Sequence, residues 1–336
     1  MGERFARATK DTARARLIPA LLRKARQIEP QRTSCDTACA RVFPGTRSTL
    51  TFVSLNAYGE ITSVVVSRGG EVVAEEDAEG DAETPRNTRS CTKTIAGMLL
   101  GIAIDRGIVP GVDISLEELL GRPAPPVTLR DLLAMSSCLD CNDWDDASPG
   151  NEELMYPRQD WLAFALGLPI REARTFSYCT AGVVALGIGL ERALGEPLPV
   201  FAQRELFEPL GIDRAEWQHT PLGQTSTAGG LLLTSRALLS LGELYLRGRD
   251  GVVPPAWVAE SLMSHAQIDA ETDYGYLWWL KSFAGERSFF MSGMGGNRVH
   301  VFPDSDLVAV ITTTNFRRRD AHALSDRLVV ERVLRF

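Results

Sequence analysis

The sequence has few of the residues and motifs on which common catalytic sites are built. It contains only four histidines, and none of them has the H-E-x-x-H spacing that places two zinc ligands on one helix face. It has no G-x-S-x-G pentapeptide, no Walker phosphate-binding loop and no G-x-G-x-x-G loop after a strand-like segment. These absences argue against zinc proteases, α/β-hydrolases, nucleotide-binding enzymes and catalysis by a histidine triad.

Long apolar runs are also missing. No stretch is long enough to span a membrane, and residues 1–16 carry too many charges to form a signal peptide. The protein is therefore expected in the cytoplasm. Its net charge of −7 gives no general attraction to nucleic acid or to an anionic membrane surface, so neither is expected as a partner.

The six cysteines would suit disulfides in a secreted protein, but free thiols are expected in a cytoplasmic one. Their spacing leaves one alternative, a four-thiolate zinc site formed by Cys35, Cys39, Cys138 and Cys141. Because no histidine spacing supports that site, neither a metal nor a cofactor is expected.

Lysine is scarce as well: only four of the 36 basic residues are lysines, and Lys93 lies three residues after Ser90. The chain continues as the apolar run 95–104, which predicts a buried helix that begins near Ser90. Residues i and i+3 share a helix face, so the hydroxyl and the amine are expected side by side. A lysine can give up and accept a proton, whereas an arginine cannot. The pair therefore indicates a nucleophile beside a base, with a solvated lysine in a first helical turn as the alternative.

Strand-like segments occur at both ends of the sequence, and between residues 95 and 246 the pattern is mostly helical. The predicted fold class is therefore α+β, with an antiparallel sheet formed from N- and C-terminal segments, flanked by helices, and an inserted mostly helical domain. A closing helix is expected at 321–333. The expected strands are 49–55, 61–67, 71–75, 274–280, 287–291, 297–302 and 307–314.

The same pattern predicts a division into three parts. Residues 1–45 are an N-terminal extension with a basic amphipathic helix, which either packs on the body or binds an acidic partner. Residues 46–94 and 265–336 are expected to form the sheet domain, and residues 95–264 the mostly helical domain. The active site is expected between these two domains.

The stretch 139–161 is rich in aspartate, proline and glycine and is predicted to be a loop. It lacks the ligand spacing of a calcium loop, and a solvated surface loop is the simplest interpretation. The alternative is a lid over a bound substrate, formed by its aromatic residues Trp144, Tyr156 and Trp161.

Several motifs follow one another in a characteristic order. Ser90-Cys91-Thr92-Lys93 has the form S-x-x-K, Tyr178-Cys179-Thr180 precedes a helical pattern, and F-E-P-L-G follows at 207–211. Further matching segments are 131–137, 274–279, 295–297 and 301–308. In this order and spacing, the sequence from Ile61 to the C-terminus resembles the serine hydrolases with the penicillin-recognising fold, especially class C β-lactamase-like esterases, D-aminopeptidases and 6-aminohexanoate-dimer hydrolases.

The resemblance implies a role for each matching residue. Ser90 would be the nucleophile that is acylated, and Lys93 would accept its proton. Tyr178 would relay a proton to the leaving group. The backbone N–H groups of Ser90 and Met294 would form the oxyanion hole.

Two departures from the family pattern bear on the substrate. Thr180 stands where lactamases carry Asn, which removes an amide that can both donate and accept hydrogen bonds. Met291-Ser292-Gly293 stands in place of K-T-G or H-x-G, which removes a cation that can meet a substrate carboxylate. Both departures weaken the case for penicillins or peptidoglycan. The residues expected to contact the substrate are Thr180, Trp144, Tyr156, Ser292 and Gly293.

The expected function is hydrolysis of a carboxylic ester or a small amide through an acyl-enzyme. The partner is then a small-molecule substrate. One alternative is a β-lactamase or D-alanyl-D-alanine carboxypeptidase. The other is a catalytically silent member that binds a ligand or a partner protein.

Overall fold

The structure, a computed structural model, describes residues 55–81, 83–248 and 251–336. The N-terminal extension with its basic helix, Cys35 and Cys39 lies outside the described residues, as does nearly all of the strand expected at 49–55. Leu55 begins a turn of 3-10 helix, Leu55–Tyr58, and is not part of a strand.

The described chain has a block of strands, then a mostly helical region, then a second block of strands and a closing helix. The strands are β1 (Ile61–Arg68), β2 (Glu71–Asp77), β3 (Arg86–Asn87), β4 (Leu232–Leu233), β5 (Ala266–Gln267), β6 (Thr272–Tyr274), β7 (Trp279–Phe283), β8 (Glu286–Gly293), β9 (Asn297–Phe302) and β10 (Leu307–Thr313). The helices are α1 (Cys91–Asp105), α2 (Leu116–Leu120), α3 (Leu129–Leu133), α4 (Glu152–Met155), α5 (Trp161–Leu166), α6 (Thr180–Leu194), α7 (Leu198–Ala202), α8 (Ser235–Arg247), α9 (Pro255–Ser261) and α10 (Ala321–Glu331).

Eight strands form one antiparallel sheet in the order β2-β1-β10-β9-β8-β7-β6-β5. The N-terminal strand β1 therefore pairs with the C-terminal strand β10, with Ile61 opposite Thr313 and Arg68 opposite Leu307. Helices α1 to α9 lie in the chain between β2 and β5, and β3 and β4 form a separate two-stranded pair. The predicted α+β fold class is confirmed. The domain boundaries at residues 94 and 265 stay a prediction.

The single strand expected at 274–280 is wrong, because the chain turns between β6 and β7. The Gly275 N–H donates to the Trp278 carbonyl at 2.8 Å, and Leu277 has a φ of 61°. Glycine is required at 275, since a Cβ there would lie 2.1 Å from the Ser261 carbonyl oxygen. The turn is buried against the helical region, so it carries the same apolar side chains as a strand and has no polar turn signal.

Helix α1 is buried over Cys91–Ala103, which explains its unbroken apolar run. It packs on β8 and β9 of the sheet and on α6 of the helical region. Gly101 allows α9 to approach, because a Cβ there would lie 2.3 Å from the Trp257 indole. The residues at the start of α1 are thus held by both parts of the fold. Within the described ranges, no helix has the length and apolar character needed to cross a membrane.

The cysteines of the described residues are buried free thiols, in agreement with the expectation: Cys91, Cys138, Cys141 and Cys179. In that same part of the chain, no group of three His, Cys, Asp or Glu side chains could hold a metal ion. The zinc alternative also required Cys35 and Cys39, which lie outside the described residues.

Candidate active site

Ser90 lies where the segment after β3 enters α1. The residue before it, Arg89, has a φ of 52°, so the backbone turns sharply at this point. Ser90 itself has helical dihedral angles, and its side chain makes no capping hydrogen bond. Its hydroxyl is therefore not committed to the helix end, and Ser90 lines a cavity of about 430 Å³.

The Lys93 amine lies beside the Ser90 hydroxyl, as the spacing of the two residues predicted. Nζ donates to Ser90 Oγ at 3.1 Å and also to the Ala228 carbonyl. The side chain is only 1% exposed, so the alternative of a solvated lysine is excluded. In the described residues, the lysine that forms an ion pair is Lys281, with Glu271, and no acidic side chain pairs with Lys93.

Tyr178 lies in the segment just before α6 and places its ring over Lys93, with 5.3 Å between Nζ and the ring centroid. Its carbonyl accepts a hydrogen bond from the Asp143 N–H at 2.9 Å, which holds this segment against the 139–161 loop. Burial raises the pKa of Tyr178, and the Lys93 charge and a hydrogen bond with Ser90 offset part of that rise. The phenol is therefore neutral at pH 7 and able to donate a proton.

Three carboxylates that were not predicted from the sequence line the same cavity: Asp143, Glu152 and Asp326. Asp143 accepts hydrogen bonds from the backbone N–H groups of Thr180, at 2.7 Å, and of Glu152, at 2.9 Å. Burial and the nearby Glu152 charge raise the pKa of Asp143 to about 6. The first part of the loop is therefore a wall of the cavity. Asp143 is one of several aspartates in that loop, and no pattern in the sequence distinguishes it from the exposed ones.

Four rings form an aromatic wall of the cavity: Trp144, Tyr178, Trp279 and Phe290. Trp144 stacks on Tyr178 with 5.8 Å between centroids and an angle of 8° between the ring planes. Trp279 contacts both of these rings and Phe290. Although Trp144 is stacked, it is 58% exposed. The wall therefore offers open aromatic surface to an apolar group.

Polar and charged side chains also line the cavity, next to Phe290 of the aromatic wall. Arg298 of β9 lies across from Ser292 of β8 and donates a hydrogen bond to the Ser292 hydroxyl. It is 5% exposed and lies 3.5 Å from the Asp326 carboxylate of α10. Burial and the Arg298 charge lower the pKa of His322 to about 3, so that imidazole is neutral. A cation is therefore present on the strand next to Met291-Ser292-Gly293, the segment that stands in place of K-T-G or H-x-G (the third motif).

Met294 follows β8 and lines the same cavity as Ser90. The approach depends on Gly293, because a Cβ there would lie 2.4 Å from the Thr88 carbonyl oxygen. Met294 then begins a short 3-10 turn, Met294–Gly296. The two backbone segments expected to form the oxyanion hole thus border one cavity, and their role in catalysis stays a prediction.

The structure brings most of the predicted site residues together and places two elsewhere. The cavity is lined by Ser90, Tyr178, Trp144, Ser292, Gly293 and Met294. Lys93 is not part of the lining but contacts Ser90. Thr180 and Tyr156 are not part of the lining. The Thr180 backbone N–H donates to Asp143, and the Tyr156 hydroxyl donates to Glu152 at 2.7 Å. Both residues therefore hold carboxylates that line the cavity without lining it themselves. Trp161 is buried in α5 against Tyr156.

Comparison with solved structures shows the same fold at low sequence identity. A putative 6-aminohexanoate-dimer hydrolase from Bacillus anthracis has a TM-score of 0.70 at 16% identity, over 81% of this chain and 78% of that chain. EstCE1, described as a hydrolase with promiscuous acyltransferase activity, has a TM-score of 0.64 at 19% identity, over 80% and 93%. A class C beta-lactamase from Rhodobacter sphaeroides has a TM-score of 0.63 at 15% identity, over 82% and 95%.

Comparison with curated proteins found no match. The model of the Beta-lactamase family, in contrast, matches residues 60–333, which is most of the chain and includes every residue that lines the cavity. The chain belongs to the beta-lactamase family.

Proposed function

We propose that the protein is a serine hydrolase that forms an acyl-enzyme on Ser90 and hydrolyses a carboxylic ester or a small amide. Membership of the beta-lactamase family supports a hydrolase. Structures with the same fold include one described as a hydrolase with promiscuous acyltransferase activity and one described as a D-stereospecific amidohydrolase. The observation that carries the proposal is the 3.1 Å contact between the buried Lys93 amine and the Ser90 hydroxyl.

Acylation begins when Lys93, as the neutral amine, accepts the proton of the Ser90 hydroxyl and Oγ attacks the substrate carbonyl carbon. The negative charge that develops on the carbonyl oxygen is met by the N–H groups of Ser90 and Met294, and Ser90 lies at the positive end of the α1 dipole. When the bond to the leaving group breaks, the leaving oxygen or nitrogen takes the proton of the Tyr178 hydroxyl. The Lys93 ammonium then returns a proton to Tyr178.

Deacylation runs through the same groups. A water molecule attacks the acyl carbonyl carbon and gives its proton to the Lys93–Tyr178 pair. The tetrahedral intermediate collapses, Ser90 Oγ leaves and regains a proton, and the carboxylic acid is released. The neutral phenol of Tyr178 suits this relay, because burial keeps its pKa above the ordinary value.

The size and lining of the cavity support a particular class of substrate. A volume of about 430 Å³ fits a small molecule. The aromatic wall favours an apolar or aryl group. The acids Asp143 and Glu152 disfavour a negative charge beside it, whereas the cations of the cavity, Lys281 and Arg298, are paired with Glu271 and Asp326. An uncharged ester with an aryl group is therefore the preferred substrate class.

A β-lactamase or D-alanyl-D-alanine carboxypeptidase is a second candidate, and Arg298 is the observation that favours it. A guanidinium near the third motif could meet the carboxylate of such substrates. Against this, Arg298 is almost fully buried and is occupied by Ser292 and Asp326. The third candidate, a catalytically silent binding protein, would not need the contacts among Ser90, Lys93 and Tyr178.

Covalent labelling with an active-site-directed fluorophosphonate tests the proposal. Intact mass and peptide mapping should show one adduct, on Ser90, which is lost in Ser90→Ala. The control is Ser292→Ala, which removes another hydroxyl of the same cavity and should still be labelled on Ser90. An adduct at a different residue, or none in the wild-type protein, would refute the assignment. Hydrolysis of short-chain and aryl p-nitrophenyl esters, linear amide oligomers and nitrocefin, measured in parallel, then ranks the substrate classes.

A further inference from the structure

A phenylalanine outside the cavity contacts the Arg89 side chain, directly before Ser90, and the turn after Met294, the two segments on which the proposed oxyanion hole depends. Phe316 lies in the loop between β10 and α10, and it does not line the cavity. The Arg89 guanidinium lies over its ring, with 3.9 Å between Cζ and the ring centroid. Arg89 is the residue before the nucleophile, and its φ of 52° is unfavourable for a residue other than glycine.

The same ring packs on the turn that follows Met294. A Cβ at Gly295 would lie 2.8 Å from Phe316 Cδ1, so the ring lies directly on the Gly295 backbone. Hydrogen bonds also hold this turn: the Asn297 side-chain amide donates to the Met294 carbonyl at 2.8 Å, and the Thr313 hydroxyl donates to the Gly295 carbonyl. The Phe316 ring packs beside the Thr313 hydroxyl, which would lie 3.1 Å from the same Cβ position, so the ring and the hydrogen bonds together fix the turn.

We propose that Phe316 is a positioning residue, which holds the Arg89–Ser90 segment and the Met294–Gly295 turn at a fixed separation and thereby sets the geometry of the oxyanion hole. The inference rests on the proposed function, since it assigns to Phe316 the support of the two N–H donors used there. The stack on Arg89 stabilises the strained backbone before Ser90. The packing on Gly295 prevents the Met294 N–H from turning away.

A loss of this support should appear in the transition state and hardly in substrate binding. Removal of one oxyanion donor typically lowers kcat by about 10²–10³-fold. A displaced donor should cost part of that, so Phe316→Ala is expected to lower kcat by about tenfold or more, with KM changed less than about threefold. A trifluoromethyl ketone that forms a tetrahedral adduct with Ser90 should lose affinity by the same factor as kcat/KM, because it mimics the transition state.

Three further variants separate positioning from a general effect on folding. Phe316→Tyr keeps the ring and should retain at least half of the wild-type kcat. Arg89→Asn removes the stack while tolerating a positive φ, so kcat should fall without loss of thermal stability. The matched control is Phe164→Ala, which truncates a half-buried phenylalanine of α5 and should lower the melting temperature without lowering kcat.

The outcomes are distinguishable. A folded Phe316→Ala with kcat within about twofold of the wild type would overturn the inference, and so would a loss that appears in KM alone or equally in Phe164→Ala. If Phe316→Ala does not fold, an unchanged kcat in Arg89→Asn overturns it. A wild-type protein that neither turns over an ester nor reacts with the fluorophosphonate would instead overturn the proposed function, and the inference with it.

Discussion

The Arg298 guanidinium donates a hydrogen bond to the hydroxyl of Ser292, the residue directly opposite it in the β8–β9 pair. A guanidinium only donates, so the hydroxyl oxygen is occupied as an acceptor and its own proton is left for another partner. Because Ser292 lines the cavity, that proton is available to a substrate. Arg298 also lines the cavity, but it is 5% exposed and paired with Asp326, so we expect the Ser292 hydroxyl to be the group that meets a substrate here.

Replacement of Lys93 by arginine tests the proton transfer. The substitution keeps a positive charge but removes a base, so kcat/KM for an ester should fall by about 10³-fold. Lys281→Arg is the matched control, because Lys281 lines the same cavity and pairs with Glu271 at 3.6 Å without contacting Ser90. It should keep nearly full activity. More than a tenth of the wild-type activity in Lys93→Arg would contradict the role of Lys93.

Asp143 should make the stability of the protein depend on pH. Its pKa is about 6 in the folded protein and near 3.8 in the unfolded chain, so the folded state holds a proton that the unfolded state releases. Stability from this group is therefore full below about pH 3.8, is lost as pH rises from there through about 6, and changes little at higher pH. Relative to Asp143→Asn, which does not titrate, the wild-type free energy of unfolding should fall by about 1 kcal/mol between pH 5 and pH 7.

Urea unfolding at the two pH values measures this difference. Asp146→Asn, in an exposed position of the same loop, is the control and should show the pH dependence of the wild type. A constant difference between wild type and Asp143→Asn would show that Asp143 titrates at its ordinary pKa.

Trp144 should determine the preference for aryl substrates. Its open indole face adds stacking energy of about 1–1.5 kcal/mol, so Trp144→Ala should raise KM for an aryl ester by about tenfold. KM for an alkyl acetate, which has no aryl group, should change less than about twofold. Trp144→Phe should retain most of the preference for the aryl ester. Ile170→Ala removes a similarly exposed apolar side chain that does not line the cavity, and it should affect neither substrate. An equal effect of Trp144→Ala on both esters would exclude the aromatic wall as a specificity element.

The sequence predicted the features that depend on local spacing. The contact between Ser90 and Lys93 follows from an i, i+3 relation in one helix, and the strand segments at both ends follow from their alternating or apolar patterns. The turn between β6 and β7 was missed because it is buried: the Tyr276 and Leu277 N–H groups donate to carbonyls of the helical region, and the residues that follow Gly275 are apolar or aromatic, as in a strand.

Features that depend on long-range register or on burial could not be predicted in the same way. Arg298 meets Ser292 only because β8 and β9 pair in one register, and the sequence alone shows Met291 without the cation on the next strand. Asp143 differs from the other loop aspartates only by its contacts with Thr180 and Glu152. In both cases the tertiary environment, and not the residue type, determines the role.

Ester hydrolysis should exceed β-lactam hydrolysis by at least about two orders of magnitude in kcat/KM. A charge-assisted hydrogen bond to a substrate carboxylate contributes about 1.5–3 kcal/mol, which corresponds to about one to two decades in rate. Met291 cannot form this bond, and Arg298 is occupied. Asp143 and Glu152 add repulsion against an anion in the cavity.

Replacement of Asp326 tests whether its carboxylate limits the positive charge that Arg298 offers to an anion. Asp326→Asn should leave more of the Arg298 charge available to an anion and should therefore raise kcat/KM for nitrocefin by about three- to tenfold, while that for a neutral ester stays within twofold. The control is Asp320→Asn, at an exposed position beside α10, which removes only the ion pair with Arg318. It should change kcat/KM for neither nitrocefin nor the ester. If the wild-type protein already hydrolyses nitrocefin as efficiently as an ester, Arg298 binds the substrate carboxylate directly, and the preference for neutral substrates is wrong. If Asp326→Asn changes both substrates equally, the carboxylate supports the fold of α10 and does not control the charge of Arg298.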